Sequence, residues 1–318
     1  MRPPWAITMV FLLATPSLAA EQARLGFRPA EPSGYFQFNT HVLRGMLQLN
    51  GKSQGVSQLV YAPSGVEVTR GGGHVGIFSP YRVFSTGKRY THAARDWPSR
   101  SRLRADGAVE AFFPPADEHP MEMAAVYRVS APDAIDLELS VKPLVDMPKF
   151  EVFLSSYFGK DFIAWMYLPP NRFAKKAQPG FVRADWCPLV DSNYLLFPRD
   201  QDAIKILFDG RYQIPPSGVD WAVPRWMAAP LALRRFEATG VTAALMCPPE
   251  ECFAVSLSYN KTPPDNVAGH QSVYQSFFGR DVAAGETVRA RCRLVVGKDL
   301  ADDEIVKRYE RYLEEVKR

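Results

Sequence analysis

Residues 121–144 read MEMAAVYRVSAPDAIDLELSVKPL. Apolar and polar residues alternate through 121–130 and again through 134–144, with Pro132 and Asp133 between the two runs. Successive side chains of a strand point to opposite faces, so period two at this length marks half-buried antiparallel strands. The same rhythm runs toward the N-terminus in YFQFNT (35–40), GMLQLNG (45–51), GVEVTR (65–70) and AVEAFF (108–113). Toward the C-terminus it continues in KFEVFLSSYF (149–158), YLLFP (194–198), AIKILFDG (203–210), VTAALMC (241–247), CFAVSLSY (252–259), SVYQSFFG (272–279) and TVRARCRLVVG (287–297). The expected fold class is all-β: one large antiparallel β-sandwich.

Two stretches break the rhythm, 85–106 and 159–192. The second is long, rich in proline and aromatic residues, and reads as a functional loop. The one convincing helix closes the chain at 299–318. Acidic residues stand near its start, and Ile305, Tyr309, Tyr312, Leu313 and Val316 form an apolar stripe suited to docking on a sheet.

The chain opens MRPPWAITMVFLLATPSLAAEQ. A positive start, an apolar run from Trp5 to Ala14 and the small-x-small Ser17-Leu18-Ala19 predict a secretory signal peptide over 1–19, with a single domain over 20–318. The apolar run is too short to span a bilayer, and no later segment is long and apolar enough. A secreted or periplasmic location is expected. Lys and Arg number 38 against 34 Asp and Glu, a formal charge of +4. That balance is too mild for a nucleic-acid binder, so any basic surface must be local. Cys187, Cys247, Cys252 and Cys292 read as disulfide partners or buried thiols ahead of a metal set, because Cys-x4-Cys has no matching second pair. No metal and no cofactor is expected.

RGGGHVGIFSPYRVFS (70–85) brings three glycines to a histidine. A phosphate loop needs a following Lys-Ser/Thr and a helix, and neither is there. The glycines instead read as a tight backbone crossing that delivers His74 to a rim. His74 and His92, with Asp161, are the acid/base candidates. KRYTHAARDWPSRSRLR (88–104) sets six cationic residues against Asp96 alone. Arginine presents a planar fork to anionic oxygens. Arg82, Arg89 and Arg95 are therefore substrate-binding candidates, with Trp97 to stack on a ring. Tyr157, Asp185, Trp186 and His270 complete the substrate-binding set.

SVYQSFFGRDVAAGETVRARCRLVVG (272–297) joins an aromatic strand, Asp281, a Gly285-Glu286 turn and a long strand ending at Gly297. With the strand series and the closing helix, this resembles the galactose mutarotase-like superfamily. The resemblance covers about residues 35–315 and implies a β-supersandwich with a sugar ligand on its concave face. That superfamily includes aldose epimerases and sandwich domains of carbohydrate-active enzymes. Epimerases share a His-x-Tyr-Phe-Asn segment whose His acts as the acid. The nearest match here is SSYFG (155–159), with Ser155 at the His position. A serine cannot do that proton transfer near neutral pH. The expected partner is a carbohydrate, with an acidic polysaccharide the natural anionic polymer for an exported chain. The rival expectation is a non-catalytic envelope interaction module using the basic loop. A third is an epimerase with relocated acid/base groups.

Overall fold

The computed structural model describes residues 25–70, 75–171, 177–184, 194–215, 221–258 and 271–317. Strands β1 (Arg28–Ala30), β2 (Tyr35–Asn39), β3 (Leu43–Gln48), β4 (Gly55–Tyr61) and β5 (Val66–Glu67) form a five-stranded sheet in that order. The chain continues through β6 (Ser79–Ser85), β7 (Lys88–Arg89), β8 (Arg100–Leu103), β9 (Val109–Phe113), β10 (Met121–Ala131), β11 (Ala134–Pro143) and β12 (Met147–Tyr157). Next come β13 (Ile163–Leu168), β14 (Gly180–Arg183), β15 (Tyr194–Pro198), helix α1 (Gln201–Leu207) and β16 (Trp221–Ala222). The last elements are β17 (Leu231–Phe236), β18 (Val241–Met246), β19 (Cys252–Ser258), β20 (Ser272–Val282), β21 (Val288–Lys298) and helix α2 (Asp302–Val316).

The nine-stranded sheet has the order β14-β13-β17-β18-β21-β11-β10-β9-β8, and the seven-stranded sheet β16-β15-β19-β20-β12-β6-β7. The 121–144 stretch is the β10–β11 hairpin, registered from Met121 opposite Pro143 to Ala131 opposite Ala134. One core joins all three sheets. It holds Leu47 and Leu59 of the first, Leu137 and Leu245 of the second, and Val152, Leu154 and Phe277 of the third. Each such side chain contributes about 1.5–3 kcal/mol by leaving water. The all-β sandwich and its closing helix are thus as the sequence predicts. Tyr309 and Tyr312 of α2 are buried against Leu231, Met246 and Val295 on the far face of the nine-stranded sheet.

Two differences have physical causes. Residues 203–210 alternate like a strand but begin as α1, because Asp200 caps the helix by accepting from the Ala203 amide at 2.8 Å. The 159–192 loop contains β13 and β14, whose aromatic residues form a sheet edge. Cys247, Cys252 and Cys292 are reduced, buried thiols, and Gln275 Nε2 donates to the sulfurs of Cys247 and Cys292 at 3.3 and 2.9 Å. Cys187 lies outside the described residues, as do the glycine run and His74. Just beyond that run, a Cβ on Gly76 would collide with the Val56 carbonyl, so this backbone crossing admits only glycine.

Candidate binding site

Alternation gives the seven-stranded sheet two different faces. Val83, Val152, Leu154, Leu195, Val273 and Phe277 enter the common core. Their neighbours turn the other way and form a second cluster with Phe84, Phe153, Tyr157, Tyr194 and Tyr274. Cross-strand register sets Tyr274 between Ser155 and Ser256, and Ser276 opposite Phe153. This outer face is therefore tyrosine and serine in place of leucine and valine. Ser256 Oγ is buried there without a hydrogen-bond partner.

A strap of residues 200–215 closes one flank. It is α1 followed by a 3-10 turn at Arg211–Gln213. Arg211 and Glu151 are both fully buried and meet at 2.8 Å, and Asp209 closes on the same guanidinium at 2.8 Å. Tyr212 donates to the second Glu151 oxygen at 2.7 Å. Its ring meets Phe84 and Phe153 at centroid distances of 5.5 and 5.7 Å.

Three arginines gather on the other flank, from three elements. Arg82 rises from β6, Arg89 from β7, and Arg95 from the 3-10 turn Ala94–Asp96. The Arg95 guanidinium stacks over the Tyr81 ring at 4.3 Å and that of Arg82 at 4.8 Å. Arg95 Nη1 also donates to Ser155 Oγ at 3.4 Å, and Ser155 donates to the Ser79 carbonyl at 3.1 Å. Ser155 thus orients an arginine. Arg89 donates to the Ile214 carbonyl of the strap at 3.4 Å and to the His92 carbonyl at 2.8 Å.

The electrostatics are unbalanced. Among the described residues, no carboxylate pairs with Arg82, Arg89 or Arg95, and the Nε of each is buried without a partner. Burial, and then repulsion from Arg82, hold the Arg89 pKa below its usual value. Arg89 Nη2 also lies 3.3 Å from His92 Nδ1. A guanidinium only donates, so Nδ1 accepts and the imidazole proton sits on Nε2. Tyr157 and Tyr274 share a hydroxyl contact at 3.3 Å. Burial raises the Tyr194 phenol to about 12 and Tyr274 well above the ordinary phenol value. Both therefore act near neutral pH as hydrogen-bonding hydroxyls, not bases. Arg234 lies beside this face, fully buried. It donates to the Phe162 carbonyl, Gln271 Oε1 and Ser258 Oγ, and burial lowers its pKa to about 9.

The sequence-selected residues divide accordingly. Arg82, Arg89, His92, Arg95 and Tyr157 come together here. Trp97 does not present a free ring: it is 5% exposed and stacks on His119 at 3.8 Å. Asp161 is exposed on the turn before β13, and no described hydrogen bond joins it to His92 or the arginines. His74, Asp185, Trp186 and His270 lie outside the described residues. Sequence reading did not select Tyr81, Tyr194 or Tyr274. They stand on β6, β15 and β20, which only the sheet order brings to one face.

No family model matches the sequence, and no curated protein matches it. Solved structures do match in fold. A galactose mutarotase related enzyme from Lactobacillus acidophilus superposes with a TM-score of 0.51 at 11% identity, over 84% of this chain and 99% of its own. An aldose epimerase homologue from C. elegans gives 0.48 at 8% identity, over 82% and 97%. The α-N-acetylgalactosaminidase NagBb from Bifidobacterium bifidum gives 0.49 at 11%, over 91% of this chain but 38% of its own. The chain therefore has the galactose mutarotase-like β-sandwich architecture. At these identities the likeness is one of fold.

Proposed function

We propose that the protein is an exported carbohydrate-binding protein that holds an anionic saccharide on the outer face of its seven-stranded sheet. The observation that carries this reading is the set of three arginines that meet no carboxylate among the described residues, beside a floor of tyrosines and serines. Tyrosine rings offer apolar faces to sugar C–H groups, and serine and phenol hydroxyls exchange hydrogen bonds with sugar hydroxyls. Arg89 and Arg95 hold the anionic group, and His92 Nε2–H adds a donor at the rim. An acidic polysaccharide from the cell exterior is the matching partner.

Titration calorimetry against neutral and acidic oligosaccharides tests the reading. Binding of an acidic oligosaccharide that weakens as salt rises is expected. Failure of every saccharide to bind removes it. Mutarotation is not expected, because Ser155 stands at the acid position and is engaged by Arg95. Fresh aldose solutions should change optical rotation at the buffer rate, and acceleration by the protein would make it an epimerase instead.

A further inference from the structure

We infer that the anionic group is a tetrahedral oxyanion, a sulfate or phosphate ester, and not a uronate carboxylate. This rests on the saccharide reading above and narrows the chemistry of the same site. A carboxylate offers two oxygens in one plane, and a single arginine fork meets both. Here three forks stand together on three elements: Arg82 on β6 and Arg95 on the 3-10 turn both lie over the Tyr81 ring, and Arg89 on β7 is close enough to Arg82 to feel its charge. A carboxylate has about four lone-pair sites, all in one plane, and two forks fill them. The three free oxygens of a sulfate or phosphate ester offer more sites in three directions and suit a third fork better.

The surroundings point the same way. The fold answers a buried guanidinium in two ways: Arg211 meets Glu151 and Asp209, and Arg234 donates to four neutral oxygens, of Phe162, Gln271, Ser258 and Ser272. Among the described residues Arg82 has neither: it is 4% exposed, donates from Nη2 to the Tyr81 hydroxyl, and its Nε has no partner. A buried cation left in that state is costly. A bound anion offsets the cost. A phosphate monoester brings close to two negative charges, and a sulfate brings one spread over three oxygens.

The test is calorimetry on the full chain with oligosaccharides of one backbone carrying sulfate, phosphate, carboxylate or no charge, and with inorganic sulfate and phosphate alone. The sulfated or phosphorylated sugar should bind at least about tenfold more tightly than the uronate. Arg89→Gln and Arg95→Gln should each weaken it by about tenfold or more. Arg100→Gln makes the same charge change at an exposed position of the same basic stretch and should leave affinity unaltered. Arg89→Lys should also lose affinity, because a lysine keeps the charge but not the fork. Circular dichroism confirms that each variant is folded. The pH profile separates the two esters: phosphate binding strengthens as pH rises through about 6, and sulfate binding stays level. Equal or tighter binding of the uronate overturns the inference and leaves the saccharide reading intact. So does an Arg100→Gln loss matching Arg89→Gln. Binding of inorganic oxyanion alone, lost with Arg89→Gln, sustains the inference and removes the saccharide reading. Binding of no probe removes both.

Discussion

Arg82 and Arg211 are both buried, but among the described residues only Arg211 meets carboxylates. Arg211 is held by Glu151 and Asp209. Glu151→Ala leaves Asp209 on the guanidinium but takes away its second carboxylate and the acceptor of the Tyr212 hydroxyl. It should therefore lower the stability read from urea unfolding by about 1–3 kcal/mol. A loss under about 0.5 kcal/mol would mean that Asp209 alone suffices for Arg211. At this scale the sequence was partly legible. A dense basic stretch pointed to Arg89, His92 and Arg95; the structure sets Arg89 against His92 and Arg95 over the Tyr81 ring. It also pointed to Trp97, whose stacking on His119 depends on a contact distant in sequence. An aromatic residue in a basic segment looks alike whether it faces solvent or core.

At the scale of elements, the strap depends on how α1 begins. Burial alone would raise the Asp200 pKa, but the hydrogen bond from the Ala203 amide and the Arg199 guanidinium outweigh it and leave the carboxyl below its ordinary value. A carboxyl lowered on folding stabilises above its unfolded pKa, and that stabilisation is lost as pH falls through the folded value. Asp200→Ala should cost about 0.5–1 kcal/mol at pH 7, the low end of capping because the group is partly exposed. Urea midpoints of variant and wild type should converge as the medium is acidified below about pH 4. A gap that persists in acid would assign the effect to something other than the charged cap. The sequence reading took Ala203 to Leu207 as strand, because its alternation satisfies both patterns. The Asp200 cap and the burial of Ala203, Ile206 and Leu207 on one side decide for the helix. The β10–β11 hairpin had no such ambiguity, because eleven residues of alternation exclude a helix.

Over the whole molecule, one core runs through all three sheets. Unfolding should therefore be a single transition. In a Cys187→Ser variant, Cys247, Cys252 and Cys292 should react with a thiol reagent only across the urea range where circular dichroism is lost. Reaction of any of the three before that range would show a part opening separately. Sheet membership was less legible than strand identity, since alternation reveals that a strand has an inner face but not which strand lies beside it. The nine- and seven-stranded sheets show the difficulty. β21 lies between β18 and β11, and β20 between β19 and β12, although both follow every other strand in the sequence. During synthesis neither sheet can close until residues 272–298 have left the ribosome. Assembly must wait for the whole series of strands, and pairing partners so far apart make it slow.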